Sequence, residues 1–509
     1  MTVRGKILYE GAEHIYEQSM QFQNASQLGG DPFDIVIIGA GVVGCALAYK
    51  LSMFELKVLL IDKNYDVGEG TSKGNSAIVH TGFDAAVGTL ESELVTRASR
   101  QWPDLAQKLK IPFESCGALL VALNEEQRIQ LDKIHEKALA NGVNDVEPVT
   151  SAQIRDLEPH VSPDVKGGML VPRESLADPF LLSVAYAETA LTNGVDIILG
   201  TPVVAIEEPD KSLKKVVTST GKRITTRYIV NTAGLGSRKL ADQYNGAPFD
   251  INPRRGQFLI FDKYSRYLSR RILLPIPTAK TKGVLVIPTI FGNLLAGPTA
   301  EDFSPEDTTY LDTTADGLQG LFRQVTGMLP ALENQPVIGT YSGARCNCAQ
   351  GSYLIRYDDG YQGILTVTGI RSTGFTSSPA LADHLIEGMI EHQMLNPVPD
   401  KSATDQRPDS CWPGWWQKPW EKNENDAGRP GYGPMICYCE HISEREIKDA
   451  LDSPLQPRTL DAVKRRTRVQ TGRCQGFDCH IPVAEIISEH CGIPLHLISK
   501  NGPGSEILD

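Results

Sequence analysis

Four cysteines close the chain in two tight pairs: Cys437 and Cys439 in MICYCEHISEREI, then Cys474 and Cys479 in TGRCQGFDC, with thirty-four residues between the pairs. Four thiolates are the full ligand set of a [2Fe–2S] cluster. Zinc modules use the same ligand type but place two to four residues between paired cysteines, so the single residue between Cys437 and Cys439 favours iron–sulfur without excluding zinc. The ten cysteines sit in a chain whose first thirty residues lack the regions of an export signal. That combination indicates a reducing compartment, where paired thiols serve metals or redox chemistry. Cys346 and Cys348 form another close pair, but no second ligand pair stands near them in sequence, and buried thiols are expected there. The same reading applies to the isolated Cys45, Cys116, Cys411 and Cys491.

Short helices must position the tail cysteines. Ser443 and Glu446 have capping-box spacing at the start of EREIKDALD. Thr459 can cap LDAVKRRTRVQT, which Gly472 would end, and PVAEIISEH would stop at Gly492. The basic run KRRTR, 464–468, could offset an anionic cluster or form a solvated helix face.

At the other end of the chain, Gly39, Gly41 and Gly44 have G-x-G-x-x-G spacing between the apolar run DIVIIGA and the helical VVGCALAYKL. The strand KVLLID follows and ends at Asp62, eighteen residues after Gly44. This order fits a dinucleotide: a tight turn at Gly39, close approach of backbone to pyrophosphate at Gly41, close helix packing at Gly44, and a carboxylate for a ribose diol at Asp62. FAD and NAD share the fingerprint, and three later stretches favour FAD. GEGTSKGNSAIVHTGFD carries Thr71, Ser72, Asn75 and Ser76 directly after the acid. RYIVNTAGLGSRKLAD is a strand and a turn at Gly234. ILTVTGIRSTGFTSSPALADHLIEGM is a strand, a turn at Gly369 and Gly374 with Thr376 behind it, and a helix opening near Pro379. A cofactor met by such distant segments is large and held throughout turnover.

These blocks resemble the FAD-dependent oxidoreductases of the D-amino-acid-oxidase superfamily. The likeness is to the bacterial branch of glycerol-3-phosphate dehydrogenases and oxidases and L-2-hydroxyglutarate oxidases, carried by VGEGTSKGNSAIVHTGFD, KGVLVIPTIFGNLLAGPTAED and GIRSTGFTSSPALA. The tail, in TLDAVKRRTRVQTGRCQGFDC, resembles the bacterioferritin-associated-ferredoxin-like (BFD-like) [2Fe–2S] domain. The resemblance implies an α/β fold: a Rossmann-like FAD domain (about 33–110, 176–250 and 350–395) with an inserted antiparallel-sheet substrate domain (about 111–175 and 251–349). A polar helical extension (1–32) precedes it. A Trp- and Pro-rich linker (396–432) and a small helical [2Fe–2S] domain (433–509) follow. The linker carries Trp412, Trp415, Trp416 and Trp420, which would strap it to the body.

The resemblance also places His80 beside the flavin as the base for a substrate hydroxyl, a task suited to neutral imidazole. Arg371, with Ser372 beside it, could grip a substrate anion or close the FAD loop through a salt bridge. Arg255 stands where related sequences often carry Lys and keeps a cation for anion binding. Phe291 replaces a His common in relatives, which changes the polarity expected of the pocket.

The whole chain has 509 residues, 41% hydrophobic and 22% charged, with net charge −12. It is long enough for two or three domains, and its acidity argues against non-specific nucleic-acid binding. No run of eighteen apolar residues is present. The expected activity is FAD-dependent oxidation of a small anionic hydroxy substrate, glycerol 3-phosphate first, with electrons leaving through the cluster to a flavoprotein, a ferredoxin-like subunit or a quinone reached through a partner. An L-2-hydroxy acid or an amine is the rival substrate, and a non-catalytic electron-transfer subunit is the rival class. The expected location is the cytoplasm, at most peripheral to a membrane through a partner.

Overall fold

The computed structural model describes residues 3–9, 31–408 and 434–508, apart from loop positions 208–211, 278–282, 305, 308–310, 350, 352 and 358–362. The FAD-type sheet is built on Phe33–Ile38 and Val58–Ile61, apolar runs in a parallel pair. Asp196–Leu199 lies outside Val58–Ile61, while Arg223–Asn231 and then Ile364–Thr368 lie on the other side, all parallel. Numbered along the chain, these five strands run 3-2-1-4-5 in space, so the order reverses between Phe33–Ile38 and Arg223–Asn231. Such a switch point opens a crevice at the strands' carboxyl ends. Helices Val42–Leu51, Leu181–Asn193 and Gly374–Glu391 share one core on one face of this sheet.

The helix read as opening near Pro379 begins five residues earlier, at Gly374. Proline in the second turn leaves the Phe375 carbonyl without its helical donor. The Ser378 hydroxyl donates to that oxygen instead, at 3.2 Å.

The second sheet is mostly antiparallel. Ile251–Phe261 pairs along its length with Val337–Cys348, and Leu285–Pro288 pairs with Leu294–Gly297. One pair departs from expectation: Ile272–Pro275 runs parallel to Ala118–Ala122. The chain passes through the FAD domain between these strands, a crossover long enough to permit parallel pairing. A small antiparallel sheet of Ile78–Val79, Ser175–Ala177 and Phe113–Glu114 joins the two domains.

Two boundary readings change. The N-terminal extension is not helical where it is described: Ile7–Tyr9 adds a parallel strand to the FAD sheet edge, with Leu8 fully buried. Residues 10–30 lie outside the described residues. After the FAD domain, residues 396–408 run along it, held by polar contacts that include a buried Arg407–Glu188 ion pair. The four linker tryptophans lie outside the described residues.

The tail has its own core, with Ile442, Ile447, Leu460, Val463, Val483 and Ile487 buried among three helices, Glu444–Leu451, Leu460–Thr467 and His480–Cys491. The Ser443–Glu446 capping box, the Thr459 cap and the left-handed Gly492 are all present. Gly472 does not end the middle helix. That helix stops at Thr467 with Arg468 in the left-handed region, and Gly472 instead faces Cys439.

Candidate active site and iron–sulfur centre

The glycine turn is shaped by contact. Gly39 has φ +112°, and a Cβ there would lie 2.5 Å from Thr232 O. A Cβ at Gly44 would lie 1.9 Å from Gly39 O, so the helix meets the strand only through glycine. The Ser72 hydroxyl, in the turn Thr71–Gly74, accepts the Val42 N–H at 2.9 Å beside Gly41. Asp62 accepts the Ala40 N–H at 2.6 Å and the Asn64 N–H at 2.8 Å, and burial raises its carboxyl from the ordinary value.

Asn75 folds the next turn, donating to Ser72 O and accepting from the N–H of Ala77, which sits at φ +64°. Ser76, half-buried, lies within that turn. Across the switch point, Gly234 has φ +56°, and a Cβ there would meet nothing within 4 Å. Gly369 also has positive φ, and Gly374 packs on Ile370. A glycine turn, a helix N-terminus and open space at Gly234 along one crevice suit a dinucleotide.

His80 follows the buried strand Ile78–Val79. Its N–H donates to the Thr376 hydroxyl at 3.0 Å, and that hydroxyl donates to Ile78 O, so Thr376 of the long helix fixes the strand end. The His80 ring puts Nδ1 3.1 Å from Glu174 Oε2. Glu174 is fully buried, and its Oε1 accepts both the N–H and the hydroxyl of Thr81, at 2.7 and 2.9 Å. Sequence reading passed over Glu174, because nothing local marks an acid in VPRESLAD that meets His80, 94 positions upstream.

The arginines divide. Arg371 forms an ion pair with Glu91 at 2.5 Å, and Glu91 also accepts from Thr373, so of the two roles expected for Arg371 the loop-closing salt bridge is observed. Ser372 beside it is exposed. Arg255 is buried, donates to Asp312 O, pairs with Glu301 and stacks on Phe303. Alternate residues face opposite sides of a strand. Arg255 and Gln257 face Thr314 and the start of helix Ala315–Met328, whereas Tyr341, Gly343 and Arg345 on the paired strand share the face meeting Asn75 and Gly74. Arg255 is thus not brought to the FAD-loop face, but Arg345 is. Arg345 donates to Thr299 O at 2.7 Å, and burial, reinforced by neighbouring Arg254, lowers its pKa to about 10. Cys346 and Cys348 are buried thiols, as expected.

The four tail cysteines lie in two neighbouring pairs; among the described residues no three His, Cys, Asp or Glu side chains are grouped to hold a single metal ion. Cys437 lies beside Cys479, and Cys439 beside Cys474, each close enough to perturb its neighbour's thiol. The neighbouring Cys479 lowers the Cys437 thiol below its ordinary range, helped by the backbone N–H groups of Glu440 and Gln470, and Cys479 itself is pushed up. Two pairs of thiols match a cluster of two irons, each taking two ligands. The non-glycine residues His441, Arg468, Gln470 and Gln475 all have positive φ around this centre. Of these the Gln470 N–H is turned to Cys437 and Cys479, as suits an anionic group, while the Arg468 and Gln475 N–H groups donate to Lys464 O and Gly472 O. Gly472 allows the close approach: a Cβ there would lie 2.2 Å from the Cys439 Cβ. Gly472→Ala is therefore expected to displace the Cys439 loop and lower bound iron per chain, read by iron assay and visible absorbance.

The basic run is neither a solvated face nor mainly a counterion for the cluster. Arg465 donates to Asp66 at 2.7 Å and to Glu69 at 2.5 Å, and Arg466 bonds both oxygens of Asp66, all of these side chains buried. The two guanidiniums hold the Asp66 carboxyl well below the usual carboxylate range, despite its burial. Arg468 stacks over Phe291, 3.7 Å from the ring centroid, so the phenylalanine found in place of the relatives' histidine meets a cation of the tail. Lys263–Glu440 and Arg473–Asp262 ion pairs complete the contact with the substrate domain. Among the described residues, no helix is long and apolar enough to cross a membrane.

Comparison with known proteins agrees with this geometry. Residues 34–387 match the family model "FAD dependent oxidoreductase", and residues 435–489 match "BFD-like [2Fe-2S] binding domain". A glycerol 3-phosphate dehydrogenase of Caloramator mitchellensis is 34% identical over 476 residues, covering 94% of this chain and 98% of that protein. A glycerol 3-phosphate oxidase of Mycoplasma pneumoniae is 30% identical over 355 residues, covering 68% of this chain and 92% of the oxidase. The solved, FAD-bound L-alpha-glycerophosphate oxidase from Mycoplasma pneumoniae superposes with TM-score 0.68 at 27% identity, over 74% of this chain and 98% of that one. The chain therefore belongs to the FAD dependent oxidoreductase (DAO) family and carries FAD together with a BFD-like [2Fe–2S] domain.

Proposed function

We propose that the protein is a dehydrogenase that oxidises glycerol 3-phosphate to dihydroxyacetone phosphate and passes the electrons through its [2Fe–2S] centre to a partner protein. The observation carrying this reading is the 34% identity to a glycerol 3-phosphate dehydrogenase along nearly the full length of both chains, tail included. FAD supplies the acceptor for the hydride from the carbinol carbon, and the iron–sulfur centre supplies a one-electron outlet.

The chain's residues do the rest. Gly39, Gly41, Gly44, Asp62, Thr71, Ser72, Asn75, Ser76 and Gly234 line the flavin cradle, and the turn at Gly369 and Gly374 flanks it. Cys437, Cys439, Cys474 and Cys479 hold the cluster. His80 takes the hydroxyl proton at Nε2, which makes no hydrogen bond to a described residue. Arg345 is the arginine best placed for the phosphate, because a half-buried cation that donates to a carbonyl rather than a carboxylate gains most from an arriving anion.

The test is anaerobic addition of glycerol 3-phosphate, L-2-hydroxyglutarate and simple amino acids to the purified holoenzyme. Glycerol 3-phosphate is expected to bleach the flavin absorbance and the others to leave it unchanged. Bleaching by another member of the panel reassigns the substrate, and bleaching by none removes the enzymatic reading in favour of an electron-transfer subunit.

A further inference from the structure

We infer that Glu174 is the positioning residue of the active-site base. Its carboxylate fixes His80 in the tautomer that carries the proton on Nδ1 and steadies the ring once Nε2 has taken the substrate's proton. The inference rests on the proposed role of His80.

Glu174 stands on the turn before Ser175–Ala177, and His80 follows Ile78–Val79. The register Val79↔Ser175 sets these two strand ends side by side. Full burial gives the Glu174 carboxylate no water, so protein donors must satisfy it. Three converge. Oε1 takes the Thr81 N–H and the Thr81 hydroxyl, and Oε2 faces His80 Nδ1 at 3.1 Å. A carboxylate only accepts, so Nδ1 is the protonated nitrogen and Nε2 carries the lone pair. The ring is held from its backbone side as well, through the Thr376 hydroxyl. The result is an acid–imidazole pair whose outer nitrogen is a base of fixed direction. A buried carboxylate at the inner nitrogen also favours the imidazolium that forms when the substrate's O–H bond breaks and its proton moves to Nε2.

Thr81 adjusts this pair. It is buried, and its two donors draw charge toward Oε1, away from the imidazole. Removing the hydroxyl leaves more of the carboxylate's charge to the ring, whereas removing the carboxylate's charge leaves the ring none. The two changes must therefore move the basicity of His80 in opposite directions.

The experiment measures the limiting rate of anaerobic flavin reduction by glycerol 3-phosphate against pH, in the FAD-loaded full chain and three variants. Glu174→Gln is expected to slow reduction about tenfold or more. It should also shift the acid limb of the profile to lower pH, because the imidazolium loses the negative charge that faces it at Nδ1. Thr81→Val is expected to shift the same limb to higher pH with a smaller change in rate. FAD content should stay at the wild-type level in both. A Glu174→Gln protein with a lowered rate but an unmoved limb would make Glu174 merely structural and overturn the inference, as would a Thr81→Val limb that moves with that of Glu174→Gln. If Glu174→Gln does not fold, the direction of the Thr81→Val shift decides alone. His80→Gln separates the two levels: a wild-type rate there overturns the base itself and the positioning role with it, whereas a slow His80→Gln beside a Glu174→Gln protein of wild-type rate and profile overturns only the positioning role.

Discussion

His80→Gln is expected to slow flavin reduction by substrate about a hundredfold or more, the range for a lost general base, while FAD stays bound. The two halves of that result come from different parts of the structure. On the proposed assignment, FAD is retained by the glycine turn, Asp62 and Ser72, none of which hydrogen-bonds the imidazole. The rate depends on Nε2. Glutamine keeps a polar side chain of similar reach, so the strand end held by Thr376 is undisturbed. The measurement is stopped-flow reduction without oxygen, paired with the flavin content of the same sample. Reduction at the wild-type rate would remove His80 from the mechanism.

Cys474→Ser is expected to release the iron and the visible absorbance of the cluster, since one of four ligands is gone. Cys474 is half-buried beside Cys439, and a serine hydroxyl there leaves Cys439 without its thiol partner. Substrate should still reduce FAD in this variant, because the hydrogen bonds of His80, Thr81 and Glu174 among the described residues go to one another and to Thr376, none to the cysteine loops. Turnover with a one-electron acceptor should fall to the level set by direct reoxidation of the flavin. Iron retained at the wild-type level, or full turnover after its loss, would make the tail a structural appendage rather than a relay.

What could be read in the sequence was what local backbone geometry demands. Gly39 and Gly44 announce themselves because a tight turn and a close helix leave no room for a Cβ, and both needs fall within six residues. The Ser443–Glu446 box and Gly492 are legible for the same reason. The Phe33–Ile38 and Val58–Ile61 runs betray burial on both faces by composition. Glu174, Arg345 and the Arg465–Asp66 clamp were not legible. Their meaning lies in partners 94, 46 and 399 residues away, and no periodicity carries that information. Gly472 was misread as a helix stop because glycine serves two purposes: left-handed φ and empty space. The second is visible only once Cys439 is beside it. The Ile7–Tyr9 strand was masked by the polar residues around it, while its pairing partner lies 190 positions on.

The segment from Asp66 to Ser72 serves two masters. Its acids grip the tail through Arg465 and Arg466, and its last residue closes the first helix at the glycine turn. A nucleotide seated in that turn and a docked tail therefore select one conformation of the same seven residues. By reciprocity, each strengthens the other by the same factor. A chain that lacks flavin is therefore expected to hold its tail less tightly, and a chain whose tail is undocked to hold flavin less tightly. The iron–sulfur domain would in this sense also be the latch on the flavin's door.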